Sequence, residues 1–140
     1  MTKPILSVVI PTRNRAYLVG EAIESALRQR PGQVEVIVVD DASTDDTTKV
    51  LTENFGSRIH LLCTPERRGA GAARNAGLRV ARGELVAFLD DDDLWLPGKL
   101  DAELNALERF PEADGVVSDS LQFVQEQVAP QSFFMRNGLL

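Results

Sequence analysis

Asp90, Asp91, Asp92 and Asp93 follow without interruption on the apolar run Leu85-Val86-Ala87-Phe88-Leu89, so a buried strand is expected to end in concentrated negative charge. Two unit charges about 4 Å apart repel by roughly 4 kcal/mol at an effective dielectric near 20, and water or a cation must offset this. A hard divalent ion takes oxygen ligands and leaves positions open for a phosphate group, which is the chemistry of activated phosphate esters. If the run stays extended, Asp90 and Asp92 face one side with Cα atoms about 7 Å apart and Asp91 faces the other. One cation can then use one or two of them, and the rest can accept hydrogen bonds from sugar hydroxyls. The competing reading makes Asp93 a helix cap and the others solvated turn residues.

A second acidic group, Asp40-Asp41, ends the β-branched run Val34 to Val39. A carboxylate there can accept from a base N–H or from hydroxyls, with helix capping as the rival role. Asp45 and Asp46 suit a helix dipole and need no function. Two further segments supply donors. Pro11-Thr12-Arg13-Asn14-Arg15 crosses from a strand to a helix, where backbone N–H groups and two guanidinium groups can face a diphosphate. In Arg67-Arg68-Gly69-Ala70-Gly71-Ala72-Ala73-Arg74-Asn75, small residues permit close backbone approach while Arg74 and Asn75 donate. Neither the Walker lysine pattern nor the dinucleotide fingerprint is present. Trp95, beside the acidic run, can stack on a ligand or pack inside.

The elements that must position these groups alternate. Leu6 to Ile10 reads as a strand stopped by Pro11, with Asn14 capping a helix that buries Leu18, Ala22, Ile23, Ala26 and Leu27. Val34 to Val39 is the second strand, and Ser43 to Asp46 offer caps for a helix burying Val50, Leu51 and Phe55. Ile59 to Cys63 and Leu85 to Leu89 are further strands, Gly69 to Arg82 a helix, and Pro97 opens another helix with Leu100, Leu104 and Leu107 in line. Such alternation implies an α/β fold, a mostly parallel sheet flanked by helices on both faces, as in Rossmann-like nucleotide-binding halves. Ligands of these sheets bind outside the carboxyl ends of the strands, where both acidic groups fall. Beyond Pro111 the pattern loosens, with strands expected at Gly115 to Ser118 and within Leu121 to Val128.

With 140 residues, 44% hydrophobic and 26% charged, the chain suits one soluble globular domain spanning residues 1–140. The net charge of −6 argues against nucleic acid as a partner, and eight of the 21 acidic residues lie in the clusters above. A single cysteine, Cys63, with only His60 beside it, provides neither a disulfide nor a zinc ligand set, and Cys63 is expected in the core. Met1-Thr2-Lys3-Pro4 and the short strand after it lack the charged, long apolar and small-residue regions of a secretion signal, and no apolar run nears the ~20 residues of a membrane span, so a cytoplasmic location and no transmembrane segment are expected. The apolar Phe133-Phe134-Met135 and Leu139-Leu140 suggest a surface awaiting a partner, with a homo-oligomer as one outcome.

In order along the chain stand Ser7-Val8-Val9-Ile10-Pro11-Thr12-Arg13-Asn14, Val38-Val39-Asp40-Asp41-Ala42-Ser43-Thr44-Asp45-Asp46-Thr47, Ala73-Arg74-Asn75-Ala76-Gly77 and Ala87-Phe88-Leu89-Asp90-Asp91-Asp92-Asp93. This combination closely resembles the family 2 glycosyltransferases over roughly residues 5 to 110. The resemblance implies a GT-A fold and an enzyme that moves a sugar, with inversion, from a nucleoside diphosphate donor (UDP-, GDP- or dTDP-sugar) to an acceptor, usually with Mn²⁺ or Mg²⁺. It implies a nucleoside contact at Pro11, with Thr12 and Arg13 beside it, a base contact at Asp41, and Arg74 near the donor. Within the D-x-D motif matched by Asp90-Asp91-Asp92, it implies that Asp92 is the usual metal ligand, with Asp90 as a second candidate, and that Asp90 and Asp91 lie near the ribose. The family's acceptor site and catalytic base come from sequence beyond this region, so residues 1–140 correspond to the donor-binding part of a longer catalytic domain, and no general base is identifiable.

Two other classes compete. A nucleotide or nucleotide-sugar binding module without catalysis is compatible with a donor half alone. A phospho-acceptor receiver domain is imitated by Val38-Val39-Asp40-Asp41 and Phe88-Leu89-Asp90, but there the acidic pair should end the first strand, and Lys99, the last lysine, is too close to Asp90 for that fold's late lysine.

Overall fold

The computed structural model describes residues 3–124 and 127–132; Phe133 to Leu140, with the apolar tail, lie outside the described residues. Contacts divide the chain into two compact units, residues 1–100 and 101–140.

The first unit is built on four parallel strands, β1 (Leu6–Thr12), β2 (Val34–Asp40), β3 (His60–Cys63) and β4 (Leu85–Phe88), in the order β3-β2-β1-β4. β1 is buried along its whole length, and Val36, Ile37, Val38 and Val39 of β2 are buried on both faces. Such continuous β-branched runs belong to a parallel sheet covered on two sides. The covering helices are α1 (Val19–Leu27), α2 (Thr47–Phe55) and α3 (Ala70–Val80). α1 buries Val19, Ala22, Ile23 and Ala26, and α2 buries Thr47, Leu51 and Phe55, the spacing of one helical face.

From β1 the chain steps outward through β2 to β3, then crosses back to place β4 on the other side of β1. Right-handed crossovers require the returning helix α3 to lie on the face opposite α1 and α2. Val9, Ile37 and Val39 accordingly form a core cluster with Ala73 of α3. α3 comes unusually close: a Cβ at Gly77 would stand 2.4 Å from Val9 Cγ1, so only glycine fits there. The reversal of strand order leaves a crevice between the carboxyl ends of β1 and β4.

At the amino ends of the strands a polar clasp ties the α3–β4 connection to the sheet. Glu35, with a side chain 8% exposed, accepts from Ser7 Oγ (2.5 Å), from Arg82 N (2.6 Å) and from the Arg82 guanidinium (2.9 and 3.0 Å). Gly83 N–H donates to Ser7 Oγ at 2.7 Å. Burial pushes the Glu35 carboxyl up, but the donors from Ser7 and Arg82 outweigh it and hold it below the usual range.

Several expectations change. Asn14 does not cap a helix: its backbone is left-handed (φ 52°), α1 starts at Val19, and its side-chain oxygen accepts from Thr44 N–H at 2.7 Å. Cys63 is exposed rather than core, because it ends an edge strand whose two terminal residues, His60 and Cys63, meet solvent. Partial burial of the sulfur and then the charge of Asp40 push its thiol up, away from the reactive thiolate form. Pro97 precedes a left-handed Gly98 (φ 80°), and the helix α4 runs Lys99–Arg109. Trp95 is buried, with Lys99 Nζ 4.5 Å from its ring centroid. In the second unit, residues 115–118 form no strand, and β5 (Leu121–Val124) pairs antiparallel with β6 (Gln127–Ser132). No described helix is long and apolar enough to cross a membrane.

Candidate functional site

At the carboxyl end of the sheet, Asp40 and Asp41 are both buried but point to different tasks. Asp40 secures its own turn, accepting from Ser43 N–H (2.9 Å) and Thr48 Oγ1 (2.5 Å). Asp41 reaches the loop ahead of α3, accepting from Arg68 N–H (2.8 Å) and Thr64 Oγ1 (3.1 Å) on one oxygen and from Gly69 N–H (2.7 Å) on the other. Gly69 has φ 87°, a backbone state that favours glycine and aims its N–H at the carboxylate. Burial raises the Asp41 carboxyl, yet the Arg68 and Gly69 N–H groups, then Thr64 and Arg13, hold it below the usual range.

The turn after β1 is zipped to the turn after β2. Arg13 Nη1 donates to the carbonyls of Asp41 (3.0 Å) and Ala42 (3.2 Å), Asn14 N–H to Ser43 Oγ (2.9 Å), and Arg15 N–H to Thr47 Oγ1 (3.0 Å). Asp45 accepts from the hydroxyl and then the N–H of Thr47, both of which hold it below its usual range, so its role is local.

β4 delivers the acidic run beside this platform, and the segment after it is pinned to α1 through Trp95 N–H on Ser25 Oγ (3.0 Å) and both ends of the Gln29 amide on Leu96 and Leu100. Thr12 Oγ1 donates to Asp91 at 2.7 Å, closing the crevice between β1 and β4, and Arg74 of α3 pairs with Asp90 at 2.5 Å. Among the described residues no donor hydrogen-bonds the exposed Asp92 side chain. Burial outweighs the Thr12 hydrogen bond and the Arg15 charge and, with a smaller push from Asp92, holds Asp91 above the usual carboxylate range. Burial, Asp92 and Asp90 do the same for Asp93.

One open cleft of about 300 Å³ collects Pro11, Thr12, Arg13, Asp41, Arg74, Asp90, Asp91 and Asp92, the residues that the family resemblance implies for a donor and its metal. It also includes Arg15, Arg67, Gly69 and Ala70. Asn75 lines a separate pocket of about 230 Å³ with Arg68 and Arg79. Sequence reasoning passed over Thr64, whose hydroxyl steadies Asp41. Its position one residue past a strand end was the available signal.

The donor set is all carboxylate oxygen, which suits a hard cation. No group of three or more His, Cys, Asp or Glu among the described residues surrounds a metal by itself, so ligand oxygens from a bound molecule and water would have to complete the coordination. Asp92 is the carboxylate most open to this, and Asp90 would first have to part from Arg74.

The sequence profile described as "Glycosyl transferase family 2" matches residues 7–130. The chain belongs to this family. It is 33% identical over 91% of its length to the UDP-Glc:alpha-D-GlcNAc-diphosphoundecaprenol beta-1,3-glucosyltransferase WfgD of Escherichia coli, of which it covers 52%. Among solved structures, the mannosyltransferase PcManGT of Pyrobaculum calidifontis in complex with GDP-Man and Mn²⁺ is 34% identical with a TM-score of 0.68, covering 76% of this chain and 33% of that one. S. aureus TarS 1-349 in complex with UDP-GlcNAc is 27% identical with a TM-score of 0.72, covering 92% of this chain and 38% of that one. The family 2 chain thus carries the fold of GT-A glycosyltransferases and spans about half, or less, of the length of these relatives.

Proposed function

We propose that residues 1–140 form the donor-binding part of a longer catalytic domain, one that transfers a sugar from a nucleoside diphosphate donor to an acceptor with inversion. The observation that carries this reading is the single cleft in which base-facing, diphosphate-facing and metal-facing candidates meet at the strand-order reversal. PcManGT with GDP-Man and TarS with UDP-GlcNAc support a nucleoside diphosphate sugar as donor, with UDP, GDP and dTDP as the candidate carriers.

In this reading the base lies against Asp41, whose carboxylate is kept ionised by its N–H donors and retains acceptor capacity for a base N–H. Pro11 and Thr12 line the nucleoside, and Asp90 and Asp91 accept from the ribose hydroxyls. Arg74 shifts part of its charge from Asp90 to the diphosphate. Asp92, with Asp90 in reserve, would hold Mn²⁺ or Mg²⁺. When bound, such an ion supplies positive charge to the departing diphosphate as the glycosidic bond breaks. Activation of the acceptor falls to a base outside these assignments.

The test is calorimetry with UDP, GDP and dTDP, with and without Mn²⁺. Metal-dependent binding of one of them is expected, lost in Asp92→Ala and weakened in Asp41→Ala. Silence from all three at millimolar concentration would sink the donor reading.

A further inference from the structure

Arg13 and Arg15 sit two positions apart on one turn and both line the cleft, yet their surroundings differ. The Arg13 guanidinium is already committed to protein. Its Nη1 bridges the carbonyls of Asp41 and Ala42, and Ala42 is left-handed (φ 56°), a conformation that turns its carbonyl out of the strand ladder. With Nη1 spent on these two carbonyls, the plane of the guanidinium is fixed by the turn that carries Asp41, and only Nη2 and Nε remain to donate elsewhere. Arg15 has the opposite arrangement. Its backbone N–H is fixed on Thr47 Oγ1 at 3.0 Å, whereas its guanidinium makes only a 3.4 Å hydrogen bond to the hydroxyl of Tyr17, itself 75% exposed. It forms no ion pair among the described residues, and after that Tyr17 contact the strongest influence on it is the charge of Asp91, with Asp92 adding to it. Of the other cations lining the cleft, Arg74 is held by Asp90, and Arg67 stands exposed on the loop ahead of α3.

We infer that Arg15 is a direct diphosphate ligand of the cleft and Arg13 a positioning residue that fixes the turn bearing Asp41. This assignment rests on the donor reading above. A planar guanidinium with one long bond to an exposed hydroxyl and its other donors open, on an anchored backbone beside the acidic run, matches the bidentate geometry of a phosphate oxyanion. A cation with one nitrogen held between two carbonyls instead stiffens the platform.

The two roles separate in one set of measurements on the whole chain. Calorimetry with Mn²⁺ and whichever of UDP, GDP or dTDP the wild type binds is compared with ligand-observed NMR on the corresponding nucleoside and with thermal unfolding. Arg15→Gln is expected to weaken the diphosphate by about tenfold or more, as loss of a charge-assisted bond implies, with nucleoside binding and Tm unchanged. Arg13→Gln is expected to lower Tm and to weaken diphosphate and nucleoside by the same factor. Arg13→Lys, which keeps the charge but cannot bridge two carbonyls in the same plane, should behave like Arg13→Gln. Wild-type diphosphate affinity in Arg15→Gln overturns the inference while leaving the donor reading intact. So does a selective diphosphate loss in Arg13→Gln at unchanged Tm, or full rescue by Arg13→Lys. A wild type that binds no nucleoside diphosphate removes the donor reading and the Arg15 role together.

Discussion

The two ends of the sheet use the same chemistry to different ends. At the amino end, one nearly buried carboxylate, Glu35, is matched by a hydroxyl, a backbone N–H and a guanidinium fork, and its pKa is lowered. At the carboxyl end, four consecutive carboxylates share few donors, and Asp91 and Asp93 are raised. A carboxylate whose acceptor sites are filled by its own chain stabilises the fold. One partly buried with few donors and like charges beside it is poised for something that arrives from outside.

That contrast breaks most visibly at Glu35. Glu35→Ala leaves Ser7 Oγ, Arg82 N–H and a guanidinium without their acceptor and is expected to cost about 3 kcal/mol in urea unfolding, less than a fully buried pair because Arg82 is half exposed. A loss under about 1 kcal/mol would make the clasp ornamental.

Between the two ends, Gly77→Ala drives a Cβ into Val9 and is expected to cost about 2 kcal/mol, and because α3 must then lift, Arg74 moves and nucleotide affinity falls with stability. Stability lost with affinity unchanged would show that Arg74 does not depend on the close approach of α3.

A smaller effect separates the ends by pH. Glu35 has a folded pKa below its unfolded value, so its contribution is complete above the unfolded carboxyl value of about 4.3 and disappears as pH falls through the folded pKa. The Tm difference between wild type and Glu35→Gln should therefore narrow on acidification and stay constant from about pH 5 upward. A gap that is independent of pH would mean that packing, not charge, holds the clasp.

At the other end, Asp92→Asn removes a carboxylate that no donor serves and is expected to change stability by no more than about 0.5 kcal/mol, in either direction, while abolishing the Mn²⁺ dependence of nucleotide binding. A destabilisation comparable to that of Glu35→Ala would erase the distinction between the two ends.

The strands and their parallel order were legible because Leu6 to Ile10 and Val34 to Val39 are apolar runs too continuous for anything but a two-sided sheet. The cleft was legible for a related reason, since strand ends in such sheets converge, so Pro11, Asp41 and Asp90 to Asp92 could be grouped without coordinates. What escaped were partners fixed by tertiary contact. Asn14 carries a helix-capping side chain, but its acceptor serves Thr44, thirty residues away. Arg13 and Arg15 are indistinguishable as letters and differ only because the Asp41 and Ala42 carbonyls come within reach of one of them. Cys63 reads as core by composition and is exposed by its place on an edge strand.

The hydrogen bond from Thr12 to Asp91 joins residues 79 positions apart. Its consequence is temporal. During synthesis the turns after β1 and β2 can zip as soon as Thr47 has emerged, and the Asp41 cradle when Gly69 follows. The acidic wall must wait for β4 to add beside a strand made long before, a non-local pairing with a large loop-closure cost. Nascent chains arrested after β3 would hold the arginine platform without its carboxylates, and the cleft would appear in a single late step.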